Sequence, residues 1–219
     1  MSKASGILAL GLAAPFGLWL LSPGALAQSA ATPPTPPKCE LHIFPSQGAG
    51  VYDATQNTMG GIVPALLNDA FRVRKPEEIT AFIDHAMPLE EQVSLLKSID
   101  YAGTKMGSGR VVTVHDKPNM AVTGYNFNAA PRTTEGGPVC YGELVLASLY
   151  LEKNTLRQMI KTSYFYREFS TGSRPIKVKF AGSATGIGDF PPKTPDQANA
   201  ATQNIKAAFK RNVLLILKK

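Results

Sequence analysis

Three histidines, His42, His85 and His115, are the side chains in this sequence that titrate nearest neutral pH. His85 follows Asp84 and His115 precedes Asp116, so two of the three sit beside a carboxylate in sequence. No His-x-His, His-x-x-x-His or His-Glu-x-x-His spacing occurs. A metal site would therefore need ligands drawn from distant segments, and neither a metal nor a cofactor is expected. Nor does a Gly-x-Ser-x-Gly elbow present a nucleophilic serine. Gly107-Ser108-Gly109 reads as a flexible loop. The stretch from Gly182 to Gly188 lacks the Lys-Ser/Thr pair of a phosphate loop and reads as a bend between a strand and a helix. Glu77, Glu78, Glu90 and Glu91 fall in the first turns of predicted helices, where they complement the positive end of the helix dipole.

The chain carries two cysteines, Cys39 and Cys140. In an exported protein such a pair forms a disulfide. Each begins a predicted strand, so two strands running side by side in the same direction would bring the thiols together. Closing a loop of roughly 100 residues is worth on the order of 4–5 kcal/mol in the chain-entropy model, with less often realised. Export itself is read from residues 1–27. Lys3 supplies a positive start, Ile7 to Leu21 is apolar, and Ala25-Leu26-Ala27 matches a signal-peptidase site. Residues 28–38 form a Pro-rich linker. Residues 39–219 then make one domain, and the protein is placed outside the cytoplasm, periplasmic or secreted.

Charge is divided unevenly. Residues 28–153 carry a net −3, and residues 154–219 a net +9. Lys161, Phe165, Arg167 and Phe169 alternate on one parity of a predicted strand, and Lys177 and Lys179 recur on the next. If pairing sets these on one face, Lys161, Arg167, Lys177 and Lys179 make an exposed basic surface with interleaved aromatics. The opposite parity, with Ile160, Tyr164, Tyr166, Ile176, Val178 and Phe180, would be the core face.

The elements that must position these residues follow from hydrophobic periodicity. Cys39–Phe44 and residues 110–116 read as strands, with Pro45–Met59 a loop between elements. Helices are expected over residues 60–72, from Pro76, and from Pro88 through the Leu89, Val93, Leu96 stripe. Residues 117–138 form a long polar loop. Apolar residues occupy both parities after Cys140, which predicts a central strand covered on both sides. Turns at Asn154-Thr155 and Thr171-Gly172-Ser173 make residues 140–182 an antiparallel meander. Thr194 caps a closing helix, with Pro195 in its first turn and Gln197 completing a capping box.

These readings predict an α+β domain with a mainly antiparallel sheet, helices chiefly on one face and a C-terminal helix. The expected function is non-catalytic binding of an anionic partner at the cell envelope: anionic lipid, cell-wall polymer or an envelope protein, not nucleic acid. The alternative is a hydrolase whose histidine and carboxylates the fold assembles. An open cleft holding His42 or His115 with acids would favour the enzyme; a continuous basic face without such a cleft would favour binding.

Overall fold

The computed structural model describes residues 39–53, 76–134, 139–153, 158–188 and 190–219. Within those segments the strands are β1 (Cys39–Phe44), β2 (Ala49–Asp53), β3 (Arg110–Val114), β4 (Tyr141–Lys153), β5 (Gln158–Phe169) and β6 (Lys177–Ile187). The helices are α1 (Pro76–Ala86), α2 (Leu89–Lys97) and α3 (Pro195–Leu217). The expected signal segment, the linker, the helix over 60–72 and the Asn154-Thr155 turn lie outside the described residues.

A single mixed sheet runs β3-β1-β4-β5-β6, and β2 also pairs with β4. The meander from β4 to β6 is antiparallel, as expected, but the sheet as a whole is not. β1 lies parallel to both β3 and β4, and β2 lies parallel to β4. β1 and β2 line the same edge of the long strand β4, the first against Tyr141–Val145 and the second against Leu149–Lys153. The region expected to be a loop between Pro45 and Met59 therefore contains a strand.

Parallel pairing of β1 with β4 sets the starts of the two strands together, and a Cys39–Cys140 disulfide joins them with Cα atoms 4.6 Å apart. The two strand starts thus meet as the cysteine spacing required.

The helices and the sheet share one core. Ile79, Ile83, Leu96, Ile205, Phe209, Val213 and Ile216 pack against Leu41, Ile43, Leu144, Leu146, Leu149, Leu151, Ile160 and Tyr164. Leu149 and Leu151 have the opposite parity to Leu144 and Leu146. A bulge between Leu146 and Ser148 resets the register against β5. The extra residue turns all four leucines toward the helices. Tyr141, Glu143 and Val145 are buried on the opposite face, so β4 is covered on both sides as its sequence predicts, with the bulge switching parity midway.

The other face has its own cover. Val122, Ala130 and Phe127, from the stretch expected to be a polar loop, pack on Phe44, Val145 and Phe165. Helix α3 begins as its sequence predicts, with the Thr194 hydroxyl accepting from the Gln197 N–H at 3.3 Å. The Gln197 side chain accepts instead from the Lys193 N–H, one residue earlier than a capping box requires. Asn212 is buried within the α3 stripe. Its amide donates to Ile160 O at 2.8 Å and its oxygen accepts from Thr185 Oγ1 at 2.7 Å. These bonds fix α3 to two neighbouring strands without leaving a buried polar atom unpaired.

Candidate functional site

The basic face expected on β5 and β6 is not formed. Register decides it: Arg167 is paired with Val178, Tyr166 with Lys179 and Glu168 with Lys177. Residues directly opposite share a face, so Lys177 and Lys179 lie on the helix side while Lys161 and Arg167 lie on the other. A one-residue difference in register separates the four cations into two pairs.

Arg167 is 0% exposed, and so is Glu143, its partner on β4. Arg167 Nε donates to Glu143 Oε2 at 3.1 Å, and its Nη2 also bonds that oxygen. The remaining donors reach Ala130 O at 2.7 Å and Pro131 O at 3.1 Å. Glu143 Oε1 accepts from the Thr133 N–H at 2.7 Å and from the Tyr141 hydroxyl at 3.0 Å. This ion pair staples the 117–134 segment to the sheet. Lys161 is paired with Glu152. Neither Lys161 nor Arg167 is a free surface cation.

Positive charge gathers elsewhere, at the end of the sheet near the disulfide. Arg110 opens β3 and crosses the sheet to Tyr166 and Glu168, with its guanidinium 3.2 Å from the Tyr166 hydroxyl and 3.3 Å from Glu168 Oε1. Gly142 makes the crossing possible, since a Cβ there would lie 2.6 Å from Arg110 Nη1. Lys177 reaches the other Glu168 oxygen at 3.4 Å. Burial works against the Glu168 carboxylate, but the Tyr166 hydroxyl, Lys177 and Arg110 outweigh it and hold its pKa below the usual range. The end of α3 meets the same region. Met106 N–H donates to Leu217 O, Lys105 Nζ to Lys219 O, and Lys219 Nζ to Gly182 O on β6. Lys105, Lys179, Lys218 and Lys219 are exposed there. Among the described residues Glu168 is the one side-chain carboxylate bonded to any cation of this group.

The histidines do converge. His42 lies on β1 and His115 directly follows β3, and both are on the sheet face away from the helices. His115 is anchored by its N–H to Ile43 O at 2.8 Å. His42 Nδ1 and His115 Nε2 are 2.8 Å apart, and His42 Nε2 is 3.1 Å from Glu40 Oε2. A carboxylate only accepts, so His42 carries its proton on Nε2. Its Nδ1 then accepts from His115 Nε2–H, which leaves His115 Nδ1 as an acceptor with no partner among the described residues. Phe44 stacks on His115 at 4.1 Å, nearly parallel. Tyr141 lies 4.7 Å from the His42 ring. Beside His115 a solvent-open hollow of about 430 Å³ is lined by Phe44, Lys117, Asn119, Met120 and Thr133 among others. Burial, and after it the neighbouring His42, lower the pKa of His115 against the opposing carboxylates of Glu143 and Asp116. His85, the third histidine, is exposed on α1 and takes no part. Among the described residues no group of three or more His, Cys, Asp or Glu side chains is arranged to hold a metal ion.

No protein-family model matches this chain, and no curated protein matches it. A solved structure of the hypothetical protein CT253 from Chlamydia trachomatis aligns over 82% of this chain and 95% of its own, at 11% identity and a TM-score of 0.32. A superposition that loose lends this chain neither a fold assignment nor a function.

Proposed function

We propose that the protein is an exported α+β domain that attaches to an anionic membrane surface through the end of the sheet where β6 meets the C-terminal turn of α3. The observation that carries this reading is an excess of cations over side-chain carboxylates. Among the described residues Lys105 Nζ bonds the oxygen of Lys219 and Lys219 Nζ that of Gly182, Lys179 and Lys218 are exposed, and Arg110 and Lys177 share one side-chain carboxylate. Ile176 and Phe180, 69% and 59% exposed, stand beside these cations on the other side of the edge strand. Apolar side chains flanked by lysines suit the boundary between headgroups and acyl chains, which favours lipid over a cell-wall polymer. Compartment supports the same reading, since the disulfide suits an oxidising environment. Among the described residues no helix is long and apolar enough to cross a membrane. The hollow beside His115 lies on the sheet face away from the helices and takes no part in this attachment.

The test is co-sedimentation with phosphatidylglycerol-containing vesicles against neutral phosphatidylcholine vesicles. Each basic residue near an anionic surface contributes about 1 kcal/mol. A variant with Lys105, Lys179, Lys218 and Lys219 all replaced by Gln is expected to bind at least tenfold more weakly. Binding by the wild type should also fall as salt rises above the ionic strength at which the Debye length is about 10 Å. Equal binding to both vesicle types, or an unaffected Gln variant, would remove this surface from the account.

A further inference from the structure

The convergence of His42 and His115 was sealed by no sequence motif and is unrelated to the basic end of the sheet. It has three parts with distinct physical roles. Glu40 fixes the tautomer of His42 at 3.1 Å. His42, 7% exposed, fixes the tautomer of His115 at 2.8 Å. Phe44 fixes the plane of the His115 ring by stacking. A ring held in one tautomer and one plane, with its remaining nitrogen unbonded among the described residues, is a positioned proton acceptor. The adjoining hollow gives it something to act on. Phe44 and Met120 provide apolar surface there, and Lys117 provides a cation beside the Asp116 carboxylate, which with Glu143 favours the protonated form of His115.

We propose that His115 is a general base for hydrolysis of small activated esters, such as aryl esters, seated in this hollow. His42 and Glu40 are its positioning residues. His115 Nδ1 takes a proton from a water molecule as the water oxygen bonds to the acyl carbon and the carbonyl electron pair moves onto its oxygen. The imidazolium so formed donates through Nε2–H to His42, which Glu40 anchors. When the carbonyl re-forms, the bond from the acyl carbon to the leaving oxygen breaks. His115 returns its proton to that oxygen. Ester and water become acid and alcohol, and His115 is neutral again. Lys117 supplies positive charge for the oxyanion. One imidazole must serve as base and then as acid, which is why the class is esters with a good leaving group and not amides. The proposal stands independently of membrane attachment.

The experiment is hydrolysis of 4-nitrophenyl acetate by the full chain, with free imidazole at equal histidine concentration as reference. General-base assistance of this kind is worth roughly 10²–10⁴-fold. The wild type is expected to exceed imidazole by at least tenfold, and His115→Gln to lose that excess while keeping the wild-type circular dichroism spectrum. Glu40→Gln is expected to lower the rate about tenfold and to move the acid limb of the pH–rate profile to lower pH, a change a purely structural role would not produce. His85→Gln, away from the site, should keep the full rate. A wild-type rate no greater than imidazole overturns the proposal. So does a His115→Gln variant that keeps its rate, or an unmoved acid limb in Glu40→Gln. If His115→Gln does not fold, Glu40→Gln and the wild-type comparison decide the matter alone.

Discussion

Arg167 shows how a cation that reads as surface can be a structural centre. Its strand alternates in a way that assigns it to one face, and that assignment is correct. What covers the face comes from 37 residues earlier in the chain, where Ala130 O receives the guanidinium. No local pattern marks such a cover, because a segment rich in Gly, Pro, Asn and Thr gives no periodic signal. Breaking one partner of a buried ion pair costs about 3–5 kcal/mol, since the other charge is left unpaired in a medium of low polarity. Arg167→Gln is expected to lower the free energy of urea unfolding by about that amount, and Lys161→Gln by less than 1 kcal/mol. Equal effects of the two substitutions would show that burial of Arg167 is not what matters. The His42–His115 contact was equally hidden in the sequence. The two residues are 73 positions apart. They meet through parallel registry of β1 with β3, which sequence spacing does not encode.

Helices and most strands were legible because their signals are periodic and bounded. Pro76, Pro88 and the Thr194-Pro195 pair mark helix starts, and all three helices begin at or beside them. The misses are elements whose chemistry is atypical. β2 is five residues, Ala49–Asp53, with one β-branched side chain, and its pairing partner is 100 positions away. The glycines at 182 and 186 read as a bend, yet β6 continues through them to Ile187, held by antiparallel pairing to β5. The bulge in β4 was invisible too, since a strand covered on both sides carries apolar residues at either parity and a one-residue insertion leaves no mark in it. Its consequence is testable. Deleting Ala147 would put Leu144, Leu146, Leu149 and Leu151 on one parity, so strict alternation keeps all four against the helices in the same register with β5. The deletion variant is therefore expected to keep its sigmoidal urea transition and not to bind the dye ANS. Deleting Ser148 together with Ala147 leaves the two leucine pairs on opposite parities with no bulge to reconcile them, and that variant is expected to lose the transition and bind ANS. A single deletion that abolishes the transition would show that the bulge itself, and not the parity of the leucines, holds the strand.

The molecule as a whole is closed by a covalent bond and an ion ladder at the same end of the sheet. The disulfide joins residues 101 apart, a long loop for the unfolded chain to close. Cys140→Ser is expected to lower stability by about 2–4 kcal/mol, read from the urea midpoint of oxidised protein, and reduced wild type should match it. An unchanged midpoint would mean that the unfolded chain is already compact enough for closing this loop to cost it little.

That parallel pairing also sets an order in time. A ribosome delivers β1 about a hundred residues before β4, and β3 before β4 as well, whereas β4, β5, β6 and α3 follow one another closely. The C-terminal half can therefore condense on local contacts, and β1 is among the last of the described strands to find its place. Until then its backbone N–H and C=O groups stand open to any strand that passes, from this chain or another. Cys39 waits through that interval as a thiol. Its oxidation onto Cys140 converts a late and reversible encounter into a commitment, so the strand that waits longest for its partner is the one that ends up covalently held.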